Sequence, residues 1–193
     1  MARPREFDRE TALEQARLVF WAKGYAGTST DDLVKAMGIG RQSLYNAFGD
    51  KWRLYVEALT EYQQRSTSSH AQRLQAPASV LQGFRDMLEG LAVDDDALRA
   101  LGCMGVGSAC EFGSAEPQLS ELRAKGSSYL RSRLVKRIRE GQAAGEIAPS
   151  LSASDAANYL MMSMTGIQLA ARSGAKVAEL RRLARFAVER LQA

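Results

Sequence analysis

Between Gly40 and Gly49 the chain carries Arg41, Gln42, Ser43, Tyr45 and Asn46. An arginine guanidinium offers two parallel donors that match the acceptor pair on the major-groove edge of guanine. The amides of Gln42 and Asn46 match the donor–acceptor pair of adenine, and a serine hydroxyl meets either base edge. Leu44 and Phe48 are the clear apolar anchors of the same run. Helical spacing puts 42 and 46 on one face and 44 and 48 on the opposite one. A short helix built this way fits the DNA major groove, about 12 Å wide. Taken alone, a short polar helix is more often a solvated face, so the elements around it must decide.

Those elements read as helices. Ala12, Leu13, Ala16, Val19 and Phe20 recur at helical spacing, which predicts a first helix over about Asp8 to Lys23, ended by Gly24. "TSTDD" then opens a second helix, with Ser29 and Asp32 in a capping-box pattern and Leu33, Val34 and Met37 as its buried side. Gly38 stops it, Ile39 packs in the turn, and Gly40 opens the third helix, Arg41 to Phe48. Two short helices across a tight glycine turn, set on a preceding helix, form a helix-turn-helix, and this placement reverses the odds in favour of DNA. Ser29 and Thr30, at a helix start whose free N–H groups favour an anion, are candidates for phosphate contact, as are Tyr45 and Lys51.

The remainder continues in helices. A fourth begins near Lys51 and runs through Trp52, Tyr55, Val56 and Leu59 toward the seventies. "SVLQGFRDMLEGLA" gives one apolar side, and "CMGVGSACEFG", with three glycines, is poor local helix chemistry. "PQLSELRAKGSSYLRSRLVKRIREGQAAGEI" reads as one long amphipathic helix whose apolar contributors are Leu119, Leu122, Tyr129, Leu134 and Ile138. Its basic run, Arg123 to Arg139, spreads around the helix and reads as a solvated face rather than a second DNA patch. In the last two helices Tyr159, Leu160, Met161, Met162, Met164, Ile167 and Leu169 face a second stripe, Leu180, Leu183, Phe186, Ala187 and Leu191. Either these stripes are ordinary core, or they form an intersubunit four-helix bundle. A twofold dimer would set two reading helices roughly 34–36 Å apart and so read an inverted repeat.

Composition narrows the classes. The 193 residues are 46% apolar and 25% charged with net charge +4, an ordinary globular balance that permits nucleic-acid binding without requiring it. No apolar run approaches the length of a membrane span, and "MARPREFDRE" has no apolar core after its arginines, so neither a membrane segment nor a signal peptide is expected and a cytoplasmic setting fits. Cys103 and Cys110 lack zinc spacing, no metal-ligand cluster or phosphate loop occurs, and neither metal nor cofactor is expected. His70 is the only histidine, which weakens catalytic readings, including a thiol hydrolase built on Cys103 or Cys110.

Residues from about Thr11 to Leu59, through "A..VF...GY.GTS...LV..MGI" and "SLYNAFGDK", resemble the DNA-binding domain of the TetR/AcrR family of transcriptional repressors. The resemblance implies an all-α homodimer: a helix-turn-helix domain over 1–53 and a helical effector-binding and dimerisation domain over 54–193. It also implies an operator-bound repressor released by a small molecule. Arg41, Gln42 and Ser43 become the base-reading candidates, and Ser29, Thr30, Tyr45 and Lys51 the backbone candidates. Gly40 stands where the family often has a serine or threonine cap, and Asn46-Ala47 replaces a bulkier pair. An effector cavity among the middle helices would draw on Phe84, Met87, Cys103, Met104, Cys110, Phe112 and Tyr129, which ordinary core packing would equally use. Two alternatives stand beside this reading: an architectural or partner-binding DNA protein without effector, and a regulator whose thiols, near a cation such as Arg99, sense oxidants or electrophiles.

Overall fold

The computed structural model describes residues 7–193, and the expectations that fall on residues 1–6, among them the absence of a leader, lie outside them. Among the described residues the fold is all-α, with ten helices and one isolated bridge between Ile147 and Gln192. α1 (Arg9–Lys23), α2 (Thr30–Met37) and α3 (Arg41–Phe48) make the amino-terminal head. α4 (Lys51–Gln75) leads out of it to α5 (Val80–Glu89), α6 (Asp96–Ala100), α7 (Met104–Phe112), α8 (Pro117–Ala143), α9 (Ala153–Arg172) and α10 (Val177–Glu189).

Local chemistry sets most boundaries. Asp8, Ser29, Asp50, Ser79, Asp95 and Ser152 each accept a backbone N–H of the first turn that follows them, satisfying a donor the helix leaves open. Gly38 closes α2 at φ 65°, a left-handed conformation in which a side chain would be strained, and so makes the tight turn into α3. Nothing in the local sequence favours α7. Its helix is held by packing, with Met104 and Ser108 buried against its neighbours.

Two cores form. One unites the head: Ala16, Phe20, Leu33, Leu44 and Phe48 pack with Leu54, Tyr55, Ala58 and Leu59 of α4, and Met104 and Leu119 join from α7 and α8. The head's packing therefore runs on past residue 53 into the first half of α4. The second core gathers Leu74, Phe84, Met87, Leu88, Leu134, Ile138, Leu160 and Leu180 from the end of α4 and from α5, α8, α9 and α10. α4 belongs to both.

The terminal stripes split in two. Leu160, Met164, Ile167, Leu180, Ala187 and Leu191 are buried within the chain itself, whereas Tyr159, Met162, Leu169, Leu183 and Phe186 are exposed. An amphipathic helix packed on one side would turn charge outward; these two helices keep large apolar groups there. On α8, Tyr129 does not join the core. It is exposed, with the Arg133 guanidinium over its ring, and Leu130 is the buried neighbour.

Candidate nucleic-acid interface and cavity

α3 is anchored from below and open above. Leu44 and Phe48 are buried, Arg41, Gln42, Tyr45 and Asn46 are exposed, and Ser43 is half-buried. Arg9 of α1 secures the far end: its guanidinium lies 4.4 Å from the Phe48 ring centroid and forms a forked pair with Glu57 of α4, at 2.6 and 2.8 Å. Gly40 caps α3 without any side-chain bond.

The exposed groups are already arranged. Gln42 Nε2 donates to Asn46 Oδ1 at 2.9 Å, so the two amides present one continuous polar edge. Arg41 donates to Asp31 of α2 at 2.6 Å. This pair is open to water, and such pairs dissociate at little cost, leaving the guanidinium available to another acceptor. Sequence reading named Arg41 and missed Asp31, whose position ten residues earlier becomes adjacent only through the turn.

Around α3 the backbone candidates sit differently. The Ser29 hydroxyl is engaged in the capping box: it accepts from Asp32 N at 3.1 Å and lies 2.9 Å from Asp32 Oδ2. Lys23, which pairs with Asp32 at 2.6 Å, and the Ser29 bonds hold that carboxyl far below the usual range. Thr30 occupies the first position of α2, where backbone N–H groups have no helical acceptor. Lys51 places its ammonium 4.2 Å from the Tyr25 ring centroid, at the start of α4.

The turn between α1 and α2 is tied to the second half of the molecule. Glu111 of α7 accepts from Tyr25 N at 2.9 Å and from Ala26 N at 2.6 Å. Beside it, Tyr25, Trp52, Tyr55 and Phe112 interlock with ring centroids 5.2–6.0 Å apart. Phe112 therefore belongs to this aromatic joint rather than to a cavity wall.

Between α4, α7, α8 and α9 lies a cavity of about 450 Å³. Cys103 and Cys110 line it. Met104 is buried and lines a neighbouring space of about 350 Å³ between α7 and the head. Phe84 and Met87 are fully buried in the second core, and Tyr129 is on the surface, so the cavity draws on none of the three. In their place stand Gln63, Thr67 and His70 of α4, Gln168 of α9 and Gly126 of α8. Polar residues in the middle of a long helix read as solvated, which is why periodicity passed over them. Arg99 spends its guanidinium on the Val93 and Asp94 carbonyls and on Asp96, not on a thiol.

Known proteins are similar to this chain in sequence and fold. The model of bacterial regulatory proteins of the tetR family matches residues 12–58, and that of the tetracyclin repressor-like C-terminal domain matches residues 80–187. The HTH-type transcriptional regulator YezE of Bacillus subtilis (strain 168) is 33% identical over 174 residues, covering 89% of this chain and 90% of the relative. The HTH-type transcriptional repressor ComR of Escherichia coli (strain K12) is 28% identical over 186 residues, covering 94% and 88%. A cysteine-substituted CifR, a TetR family transcriptional regulator in complex with 26-bp double-strand operator DNA, superposes with a TM-score of 0.83 at 27% identity, covering 98% of this chain and all of the other.

Proposed function

The chain belongs to the tetR family of bacterial regulatory proteins, and from that membership we propose that it is a transcriptional repressor that binds an inverted-repeat operator as a homodimer and releases it when a small molecule enters the cavity. One observation carries the reading: α3 is fixed by Leu44 and Phe48 while Arg41, Gln42, Tyr45 and Asn46 stand together on the open side. The operator complex of CifR, so similar in fold, supports it.

In this reading Arg41, Gln42, Ser43 and Asn46 meet base edges, while Thr30, Tyr45, Lys51 and the α2 start at Ser29 hold phosphates. The dimer forms through α9 and α10, whose exposed Tyr159, Met162, Leu169, Leu183 and Phe186 would be buried against the same patch of a twofold mate. The effector couples to DNA through α4, which lines the cavity and contributes Leu54, Tyr55, Ala58 and Leu59 to the head's core. A coupling of about 1–3 kcal/mol changes operator affinity roughly 5–150-fold.

Selection from random duplexes tests the core of this. An inverted repeat with half-sites about one turn apart should emerge. On that operator Gln42→Ala should cost about 1–3 kcal/mol and relax one base position, whereas Lys51→Ala should weaken operator and random DNA alike and flatten the salt dependence. Equal losses on both DNAs for both variants would overturn the assignment of roles. Binding that no small molecule alters would instead favour the architectural alternative. The thiol-sensing alternative draws support from both free cysteines opening on one cavity; operator affinity unchanged after full alkylation would exclude it.

A further inference from the structure

The cavity wall leaves two polar atoms without partners. His70 is only 8% exposed; its Nε2 lies 3.0 Å from Ser66 Oγ, and its Nδ1 has no hydrogen-bond partner. Gln63 Oε1 is buried and likewise unpartnered. An unpaired buried polar atom costs about 1–3 kcal/mol, so a guest that supplied the missing partner of either would recover that cost. They lie two turns apart along α4, about 10 Å. Opposite Gln63 stands Gly126 of α8, where a Cβ would overlap the Gln63 amide; the glycine leaves room for that amide in the wall. Leu130, Met161 and Met164 supply the apolar lining between.

Formal charge is nearly absent from this wall. Arg123 is the one charged side chain lining it, and its guanidinium donates to Ser108 Oγ at 3.4 Å, Ser120 Oγ at 3.1 Å and the Gly113 carbonyl. Burial, with Arg73 nearby, lowers His70 to about 4, so the ring is neutral at neutral pH. No carboxylate lines the cavity to receive a cation. A cation entering it would lose water with no carboxylate to replace it, and an anion would have to draw the Arg123 guanidinium away from its three neutral acceptors.

We propose that the cavity selects an uncharged molecule whose hydroxyl or amide N–H donates to Gln63 Oε1, whose apolar body lies against Leu130, Met161 and Met164, and whose second polar group reaches His70. This rests on the effector reading above and names the chemical class of that effector.

Three probes of one skeleton test it: 4-(4-hydroxyphenyl)butan-1-ol, the matching butanoate and the matching butylammonium. Each is titrated into full-length protein labelled with 13C at the methionine methyls, with Met161 and Met164 as reporters and the head's buried Met37 as the control for folding. The alcohol should shift both reporters and bind at least about tenfold more tightly than either ion. Gln63→Leu, and Gly126→Ala through displacement of the Gln63 amide, should each weaken the alcohol about 3–10-fold. A carboxylate or ammonium binding as well as the alcohol, an alcohol affinity untouched by Gln63→Leu, or reporters that respond to none of the three would overturn the proposal. Operator affinity at saturating alcohol separates the two readings. If it does not change while the alcohol binds as described, the effector reading fails and the ligand class stands; if the butanoate alone releases operator, the reverse holds.

Discussion

His70 gives this protein a stability profile that can be worked out in advance. It is the only histidine in the sequence, so it is the one side chain ordinarily titrating between pH 5 and 7. In the fold, burial followed by the Arg73 charge lowers it from 6.5 to about 4. Between those values the unfolded chain binds a proton that the folded chain does not. Stability from this group is therefore complete above pH 6.5 and is lost as pH falls through 4. The loss is about 2 kcal/mol between pH 7 and pH 5 and about 3 kcal/mol in full. The groups held below the usual carboxylate range, Asp8, Glu14, Asp32, Glu121 and Glu146, stay ionised in both states over that window and add little. Urea unfolding at pH 7, 6 and 5, at fixed protein concentration, should show wild type losing about 2 kcal/mol that His70→Gln retains. The imidazole 13Cε1 resonance, unique in the spectrum, should not titrate until well below pH 6. Parallel slopes for the two proteins, or a midpoint near 6.5, would refute the reasoning.

Other consequences follow from packing. Leu44→Ala removes a fully buried anchor of α3 and should destabilise the protein by about 2–5 kcal/mol in chemical denaturation, with operator binding lost before global unfolding. Phe186→Asp puts a charge on the exposed α10 face, where Arg190 now covers the ring at 4.7 Å; sedimentation should shift from dimer to monomer while the helical circular dichroism of the chain is kept. Glu111→Ala removes the two acceptors that hold the α1–α2 turn. Amide exchange at Tyr25 and Ala26 should accelerate severalfold, with the α3 amides unchanged.

The head was legible in the sequence because its rules are local. Ser29 and Asp32 form their box, Gly38 turns, and the 44/48 and 42/46 spacings separate buried from exposed side chains as geometry requires. The cavity was not legible, since its walls depend on which apolar face meets which. Phe84 and Met87 had the right periodicity for a buried position, but helical period cannot distinguish a core from a hollow. Tyr129 sits one residue from buried Leu130, a rotation of about 100° that turns a core contact into a surface one. Gln63 and His70 were hidden by their polarity. α7 formed despite Gly105 and Gly107 because Met104 and Ser108 are enclosed by other elements, a cause no local window contains.

α4 has a mechanical consequence. Its 25 residues make a rod of about 37 Å, embedded at one end beside Phe20 and Leu44 and at the other beside Phe84 and Leu134. A tilt of about 5° at one end moves the other by roughly 3 Å, about the length of a single hydrogen bond. Small strain beside the hollow is thus delivered to the far end as a displacement large enough to unmake a contact.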